Sequence, residues 1–374
     1  MASLPQTIKA LQIQENRTLK VVDIAFASEE KIRNLPQDEV LVRVRAVGLN
    51  PTDWKHAFLP VGNPGTISGC DAAGDVVAVG SGVTHIKGGD RVAGMNYGGS
   101  WQKDNGAFAE YVRFKAAVCF VLPAAMTYEE AASFPIPHLT AVQALYMRLS
   151  FPKPLTPEAT ALKQKGEKIL IWGASTAVGH HAVQLAALSG LEVYATASPA
   201  VHDEIKGLGA SHVFDYRDAD IVSKIKDAAG PEGIAYAFDT VSEKGSPEAT
   251  IDSLSATRGG TVIATLLLPD AVKNRRKDVR IENTLVYTEL GYPLVKFANA
   301  VDIPASPQDN AAAKSYCAED IHRVLDGWNT GFGAPNFMTQ KLRVLPGGLE
   351  SIEEGLKIMQ NGAYGREKLV YKIA

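Results

Sequence analysis

The sequence is poor in cysteine and lacks long apolar runs, and both features limit the classes of protein to which it can belong. Its three cysteines, Cys70, Cys119 and Cys317, are widely spaced and odd in number, which argues against a disulfide framework and predicts a reducing compartment. They are too few for a zinc site of four thiolates. The first twelve residues lack the apolar core of a signal peptide, and apolar runs such as 261–268 are too short to span a bilayer. We therefore expect a cytoplasmic protein without a membrane partner.

A strong excess of charge of either sign is also missing. The formal net charge is −3, which gives no general electrostatic reason to bind nucleic acid or an anionic membrane. The one local exception is the basic run "KNRRKDVR" at 273–280, and such runs usually form a solvated surface. The 374 residues, 46% of them hydrophobic, are enough for two domains with a core each.

The pattern of short runs divides the sequence into three segments. Residues 1–135 contain β-branched runs separated by glycine and proline, which predict an antiparallel, barrel-like module. Residues 136–335 begin with a helical pattern and continue as an alternation of strands and helices. Residues 336–374 return to a strand–helix–strand pattern, and we expect them to rejoin the first module. The β-rich domain is therefore predicted to be discontinuous in sequence.

The alternation in the middle segment predicts a doubly wound parallel α/β sheet. Amphipathic helical patterns separate the strand-like runs, which lie at 168–173, 191–197, 212–216, 234–241, 260–268 and 283–290.

The turn after the first of these strands reads "GASTAVG" (173–179) and is a candidate phosphate loop. Free amides and the helix dipole at such a turn favour a pyrophosphate. Thr176 stands where a second glycine is expected, so the G-x-G-x-x-G match is incomplete, but the strand–turn–helix context supports dinucleotide binding. The residues assigned to the cofactor here are Gly173, Ser175, Thr176, Ala177, Val178 and Gly179, together with Thr265 and Leu266 in the fifth strand.

The second strand indicates which dinucleotide binds. An NAD site usually has a carboxylate at the end of this strand, to hold the ribose 2′-hydroxyl. Here Ser198 lies in that region and can donate a hydrogen bond to a 2′-phosphate, and His202, Lys206 and Tyr216 are within reach of the same end. His202 and Lys206 could instead be ordinary exposed helix residues. The pattern predicts NADPH as the cofactor.

Five motifs are spread along nearly the full length of the sequence: "AVGLNPTDWK" (46–55), "GCDAAGDVVAVG" (69–80), "GDRVAG" (89–94), "GASTAVG" (173–179) and "GAYGREKLVY" (362–371). Together they resemble the motifs of the medium-chain dehydrogenase/reductase superfamily. The resemblance implies a Rossmann domain that binds the cofactor and a GroES-like catalytic domain.

The same resemblance raises the question of a catalytic zinc ion. Alcohol dehydrogenases of this superfamily have a cysteine ligand where this sequence has Asn50, and a histidine ligand where it has Cys70. Cys70 or His138 could each contribute to a metal site, but a catalytic zinc needs three convergent protein ligands. The stretch "NPTDWKH" (50–56) therefore resembles a zinc-binding turn rebuilt without zinc, and we expect no metal.

Three further motifs are "GLNPTDWKH", "FPIPHLTAVQAL" and "GASTAVGHHAVQLA". Within the zinc-free branch of the superfamily, they are most similar to those of fungal enoyl reductases that serve highly reducing polyketide synthases. This resemblance implies hydride delivery from NADPH to the C=C bond of an α,β-unsaturated thioester or ketone. A polyketide synthase is then a candidate partner, and either a carrier-bound or a free substrate is compatible with the sequence. Both a monomer and a homodimer are compatible too.

Zinc-free reduction needs polar groups that stabilise the substrate oxygen and supply a proton. We assign these roles to Lys55 and Thr140, although Lys55 could be a surface lysine and Thr140 a packing or capping hydroxyl. The other assignments are Asn50, Pro51, Thr52 and Asp53 on the nicotinamide side and His138, Tyr287 and Tyr292 on the substrate side.

Two alternative functions stay open at the level of sequence. The first is a quinone or carbonyl oxidoreductase, because zinc-free relatives share much of this wording. The second is a non-catalytic sensor that binds NADPH, since a fold does not fix a function.

Overall fold

The computed structural model describes residues 4–26, 35–297, 301–329, 332–333 and 337–373. Contacts divide the chain into two compact units. Unit 1 comprises Met1–Ile136 and Tyr287–Ala374, and unit 2 comprises Pro137–Val286. Residues from 287 onwards thus group with the first unit, whereas the sequence pattern puts the return at 336. The domain boundaries drawn from the sequence stay a prediction.

The strands alternate with helices in unit 2 and are joined mainly by turns and loops in unit 1. In chain order they are β1 Thr7–Ile13, β2 Leu19–Ala25, β3 Glu39–Gly48, β4 Asp71–Val79, β5 Arg91–Met95, β6 Tyr111–Lys115, β7 Cys119–Val121, β8 Lys168–Trp172, β9 Glu192–Thr196, β10 Ala210–Phe214, β11 Tyr236–Asp239, β12 Gly260–Ala264, β13 Val279–Asn283, β14 Leu294–Phe297, β15 Val301–Ile303, β16 Phe332–Gly333, β17 Phe337–Met338, β18 Leu342–Leu345 and β19 Lys368–Lys372.

The α-helices are short, between one and about three turns. They are α1 Pro51–Phe58, α2 Tyr128–Ala132, α3 Pro135–Val142, α4 Pro157–Lys165, α5 Ala177–Leu188, α6 His202–Gly207, α7 Ile221–Ala229, α8 Ser246–Ser253, α9 Asp270–Lys273, α10 Pro307–Ser315, α11 Ile321–Leu325 and α12 Ile352–Gln360. Helical turns of other pitch lie at Ala116–Val118, Gln143–Arg148, Pro199–Val201, Val286–Leu290, Tyr316–Asp320 and Gly348–Ser351.

The sheet of unit 2 confirms the predicted doubly wound fold. Its six strands run in parallel in the order β10-β9-β8-β11-β12-β13. The order reverses beside β8, and open α/β sheets bind ligands at the carboxyl ends of strands at such a point. Apolar side chains of the central strands, such as Leu170, Ala237 and Val262, are fully buried in the core of this unit.

The sixth strand of this sheet was predicted at the wrong place. The structure has β13 at Val279–Asn283, paired with β12, and a 3-10 turn over Val286–Leu290. The chain leaves the sheet because Thr284 Oγ1 and Leu285 N both donate to Gln143 Oε1, at 2.7 and 2.6 Å. The start of β13 was hidden in the basic run 273–280. Arg275 and Arg276 in that run pair with Asp252 and Asp278 at the surface.

The main sheet of unit 1 has seven strands in the order β18-β19-β3-β4-β5-β7, with β6 paired to β3. It is largely antiparallel, as predicted, and the ladders among the described strands do not close it into a barrel. Its core combines β-branched residues of β3 with Leu356 and Met359 of α12. The return of the chain therefore completes this core.

The register of three strands places the polar residues of unit 1. The β3–β4 ladder sets Gly48 opposite Asp71, and the β3–β19 ladder sets Gly48 opposite Val370. If the β3–β19 pairing is continued two residues beyond Gly48, Lys368 lies opposite Asn50. Gly48 is required at this crossing, because a Cβ atom there would lie 2.1 Å from the carbonyl oxygen of Ala132.

Across the described part of the chain, no helix combines the length and apolar character needed to cross a membrane.

Candidate active site

The stretch "NPTDWKH" forms the start of helix α1. Asn50 is its N-cap in an extended conformation, and Pro51 occupies the first turn, where its missing N–H leaves no unmade bond. The side chain of Asp53 folds back, and its Oδ2 accepts a 2.7 Å hydrogen bond from the Asn50 backbone N–H. This interaction is half of a capping box, and it fixes Asp53 inside the unit.

A buried lysine joins this turn to the two neighbouring strands. Nζ of Lys368 lies 2.6 Å from Oδ1 of Asn50 and 3.6 Å from Oδ2 of Asp71. Asn50 Nδ2 in turn donates to Asp71 Oδ2 at 2.8 Å, and Asp71 Oδ1 accepts from the N–H of Ile136 at 2.9 Å. Both ends of the Asn50 amide are therefore engaged inside unit 1.

The acids in this network hold their protons more tightly than usual. Burial raises the pKa of Asp53 to about 7 and that of Asp71 to about 6, while Lys368 opposes both shifts. Burial also lowers the pKa of Lys368, against the attraction of Asp71 and Asp53. Desolvation thus brings the pKa values of acids and base towards each other, which favours proton movement within the network.

A second line of polar groups starts at Cys70. Its Sγ lies 3.5 Å from the hydroxyl of Tyr287, and that hydroxyl donates a 2.9 Å hydrogen bond to Oγ1 of Thr52. Cys70 is fully buried and Tyr287 is nearly so. Burial raises the pKa of both groups, so the thiol and the phenol are neutral donors at physiological pH.

The residues at the expected zinc position do not fit a zinc ion. The Lys368 ammonium already places a positive charge between Asn50 and Asp71, where it would repel a second cation. Among the residues that the structure describes, no three His, Cys, Asp or Glu side chains are arranged to hold a metal. We therefore derive no chemistry through zinc, and its absence from the protein stays a prediction.

The two predicted catalytic residues lie on different units. Lys55 is partly exposed on α1, and its Nζ lies 5.8 Å from the centre of the Trp54 ring. Thr140 is buried in α3. Their roles stay predictions.

The predicted substrate residues have contrasting surroundings. His138 is completely buried, its Nδ1 lies 3.2 Å from Nδ1 of His181, and burial lowers its pKa to about 3. Tyr292 accepts a hydrogen bond from Asn105 and packs edge-on against Trp101, which is 43% exposed. Tyr292 and Tyr287 thus share unit 1, whereas His138 belongs to unit 2.

The candidate phosphate loop has the geometry of a tight strand–helix turn. Gly173 has φ +81°, and a Cβ at Gly179 would lie 2.2 Å from the Gly173 carbonyl oxygen. Thr176 is the N-cap of α5: its Oγ1 accepts from Gly179 N at 2.9 Å and lies 2.9 Å from Thr240 Oγ1. The residue that breaks the glycine pattern therefore caps the helix. Ser175, Ala177 and Val178 are partly exposed around this turn, so the loop fits a pyrophosphate.

The other predicted cofactor residues follow neighbouring strands of the same sheet. Ser198 comes two residues after β9, and the next helical turn leads to His202, whose Nε2 lies 3.1 Å from the Ala197 carbonyl oxygen. Tyr216 follows β10 and is 49% exposed. Thr265 and Leu266 follow β12, and Thr265 N donates to Ser242 Oγ at 2.9 Å. Ser198, Tyr216, Thr265 and Leu266 thus lie just beyond strand carboxyl ends, and His202 begins the helix that follows β9.

Sequence reasoning missed three acids and bases that organise these sites. Lys368 and Asp71 were not assigned, although Asp71 directly follows Cys70 in the motif "GCD" and could have been suspected. Asp239, at the end of β11, was also missed. Its Oδ1 accepts from Val241 N and Ser242 N, and its Oδ2 from Ser246 Oγ. It therefore shapes the loop beside Thr240, and its position at a strand end was the available signal.

Family models match both units. The model described as "Alcohol dehydrogenase GroES-like domain" matches residues 36–124, and the model described as "Zinc-binding dehydrogenase" matches residues 177–284. The second match begins at the end of the phosphate loop and covers most of the parallel sheet, so it implies a nicotinamide cofactor.

Similar proteins extend the likeness to the whole length. The trans-enoyl reductase ACTTS2 of Alternaria alternata is 37% identical, covering 98% of this chain and 99% of its own length. The trans-enoyl reductase resD of Aspergillus sclerotiorum is 34% identical, and the match covers 93% of this chain and 97% of resD. The crystal structure of CurK enoyl reductase has the same fold, with a TM-score of 0.73 and 20% sequence identity. The match covers 99% of this chain and 100% of the CurK chain.

Fold, domain matches and site all define a medium-chain dehydrogenase/reductase. Within that superfamily, the chain belongs to the family of trans-enoyl reductases, because its likeness to them exceeds 30% identity over nearly all of both chains.

Proposed function

We propose that the protein is an NADPH-dependent enoyl reductase that saturates the C=C bond of an α,β-unsaturated acyl thioester. The observation that carries this proposal is the match to trans-enoyl reductases over 98% of the chain. The protein is accordingly an oxidoreductase acting on CH–CH groups. The relatives are named trans-enoyl reductases, and with the resemblance to fungal enoyl reductases of polyketide synthesis we propose a substrate carried by a polyketide synthase, on which this chain acts in trans as a separate protein.

The choice of NADPH rests on the residues that follow β9. No carboxylate stands in the stretch from Thr196 to Ser198, so a 2′-phosphate meets no negative charge there. Ser198 offers a hydroxyl, and Tyr216 is exposed at the end of the adjacent strand β10. The capped turn 173–179 supports binding of the pyrophosphate.

The bound nicotinamide supplies a hydride to the β-carbon of the substrate. The residues of the chain must then stabilise the negative charge that develops on the thioester oxygen and provide a proton for the α-carbon. Lys55 is the proposed cationic donor to the oxygen. Thr140 is a second proposed hydrogen-bond donor, argued on its hydroxyl chemistry alone.

Turnover of purified protein with NADPH tests the proposal. We expect oxidation of NADPH with crotonyl-pantetheine, and slower or no oxidation with simple enones, quinones and aldehydes. Rapid turnover of quinones or aldehydes without thioester reduction would favour the alternative oxidoreductases. NADPH binding by fluorescence titration without turnover of any of them would favour a sensor.

A further inference from the structure

Four side chains of unit 1 form a line of polar groups that leads from a buried acid to a partly exposed hydroxyl. The line runs from Asp53 through Cys70 and Tyr287 to Thr52. The S···O distance between Cys70 and Tyr287 is 3.5 Å, and the O···O distance between Tyr287 and Thr52 is 2.9 Å. Thr52 is the least buried member, and the other three are at most 6% exposed. We call this set the Asp53–Thr52 relay.

The connection between Asp53 and Cys70 is the loosest of the relay. Oδ2 of Asp53 is taken by the N–H of Asn50, and the buried Oδ1 makes no regular hydrogen bond within the described residues. The Cys70 thiol is nevertheless close enough to interact with this carboxyl group. An oxygen left without a regular partner in a dry interior is best accommodated when the carboxyl group carries a proton.

The orientation of the hydrogen bonds gives the relay a direction. Tyr287 donates its only hydroxyl proton to Thr52, so in its contact with Cys70 the thiol is the donor and the Tyr287 oxygen the acceptor. A protonated Asp53 can then donate to Cys70 Sγ. Because the Thr52 oxygen accepts from Tyr287, the hydroxyl proton of Thr52 remains available for donation.

We propose that the Asp53–Thr52 relay delivers the proton that the α-carbon takes up during enoyl reduction, with Thr52 as the terminal donor and Asp53 as the internal source. The proposal rests on the proposed function and adds to it the origin of the hydrogen that the α-carbon gains. Tyr287, assigned from the sequence to substrate contact, becomes a positioning residue that passes a proton on.

The step balances without a further reagent. As the enolate formed by hydride addition collapses, a C–H bond forms at the α-carbon and the O–H bond of Thr52 breaks. The Thr52 oxygen takes the Tyr287 proton, the Tyr287 oxygen takes the Cys70 proton, and the Cys70 sulfur takes the Asp53 proton. Asp53 is left as a carboxylate beside Lys368, and a proton from solvent restores it between turnovers.

The charged groups around Asp53 set its pH dependence. Desolvation is the main cause that raises the pKa of Asp53 to about 7, and the charge of Asp71 adds to it. The Asn50 N–H, the Cys70 thiol and Lys368 favour the ionised form and lower the pKa. Since the relay needs protonated Asp53, kcat should fall as the pH rises through about 7. Tyr287 and Cys70 stay neutral throughout this range, because burial raises both pKa values.

Two substitutions at Cys70 distinguish a role of its thiol in proton transfer from a role in packing alone. Cys70→Ala removes the proton carrier, whereas Cys70→Ser keeps a group that donates and accepts. General acid catalysis contributes about 10²–10⁴-fold, so we expect kcat with crotonyl-pantetheine to fall by at least ~10-fold in Cys70→Ala and to be largely recovered in Cys70→Ser. The Kd for NADPH should stay the same in both. A packing role predicts that Ala is tolerated as well as Ser or better, which would overturn the proposal.

Tyr287→Phe provides the second test and removes only a hydroxyl group. It should lower kcat as Cys70→Ala does, and Asp53→Asn should remove the fall of kcat with pH near 7. A wild-type kcat in Tyr287→Phe, or an unchanged pH profile in Asp53→Asn, would contradict the relay alone. Failure of the wild type to reduce crotonyl-pantetheine would instead contradict the proposed function, and the relay with it.

Discussion

Nζ of Lys368 donates a 2.6 Å hydrogen bond to Oδ1 of Asn50, across 318 positions of sequence. The bond joins the returning strand β19 to the start of helix α1, so the end of the chain completes a site that its beginning provides. It also places an ammonium group where the zinc-dependent members of the superfamily are expected to hold a metal. A buried ammonium, a neutral amide and a carboxylate thus occupy that place.

Removal of the Lys368 ammonium should destabilise the protein strongly. Lys368→Met leaves Asp71 buried without its cation, and breaking such a buried pair costs about 3–5 kcal/mol. Because the pKa of Asp71 is about 6, protonation can relieve part of this loss. We therefore expect a larger decrease in the free energy of unfolding at pH 8 than at pH 5, measured by urea denaturation.

Lys372 provides the matched control for this substitution. It lies on the same strand, its Nζ is 2.8 Å from Glu129 Oε1, and its side chain is 70% exposed. An exposed pair contributes about 0–1 kcal/mol, so Lys372→Met should have a small effect. Equal losses in the two variants would show that the burial of Lys368 is energetically unimportant.

Asp53 should make the protein less stable as the pH rises. Its pKa is about 7 in the folded state, against an ordinary value of 3.8 for an exposed aspartate, so the folded state holds an extra proton between these two pH values. Stability is then highest below about pH 4 and is lost as the pH rises to about 7. Asp53→Asn should remove this part of the decrease, worth on the order of a few kcal/mol, since one pKa unit is ~1.4 kcal/mol.

Unfolding curves measured from pH 4 to 8 check this expectation. Asp270→Asn is the control, because its side chain is 92% exposed. A wild type and an Asp53→Asn variant whose stabilities change in parallel over this range would refute it.

Ser198→Asp should change the cofactor preference. A carboxylate after β9 repels a 2′-phosphate and can bind a ribose 2′-hydroxyl, so NADPH should bind more weakly and NADH more tightly. Ser198→Ala removes only the hydroxyl and should weaken NADPH without improving NADH. Fluorescence titrations of both cofactors give the Kd values, and equal affinities of the wild type for the two cofactors would be evidence against the predicted preference.

Lys55→Ala should lower kcat and leave NADPH affinity nearly unchanged. The loss of one electrostatic donor to a developing oxyanion typically costs about 2.7–4 kcal/mol, or ~10²–10³ in rate. If Lys55 instead contributes only to binding of the substrate, KM should rise with little change in kcat. Wild-type values of both constants would remove Lys55 from the mechanism.

The fold was predictable because its signals are local. Each strand of the parallel sheet is a short apolar run next to an amphipathic helix, and periodicity shows both. The sixth strand was misplaced because Val279 and Ile281 alternate with charged residues in a basic stretch, while the following run "TLVY" is more apolar. There the decision depends on Gln143, which is far away in sequence.

The candidate site was only partly predictable for the same reason. Asn50, Thr52 and Asp53 were predicted as site residues from one turn. The side chains that contact Asn50 and Thr52, Lys368 and Tyr287, are more than two hundred residues away in sequence. Nothing in the local pattern around Lys368 distinguishes a buried lysine from the exposed Lys372 four residues later. Only the register of β19 against β3 reveals which of the two enters the core.

The fate of a labelled hydride tests the central claim most directly. Crotonyl-pantetheine is reduced in water with NADPH deuterated at C4, and the position of deuterium in the product is determined by NMR. The account predicts a butyryl thioester with deuterium at the β-carbon and a solvent-derived hydrogen at the α-carbon. Deuterium at the former carbonyl carbon, in an allylic alcohol or aldehyde, would contradict enoyl reduction and identify a carbonyl reductase.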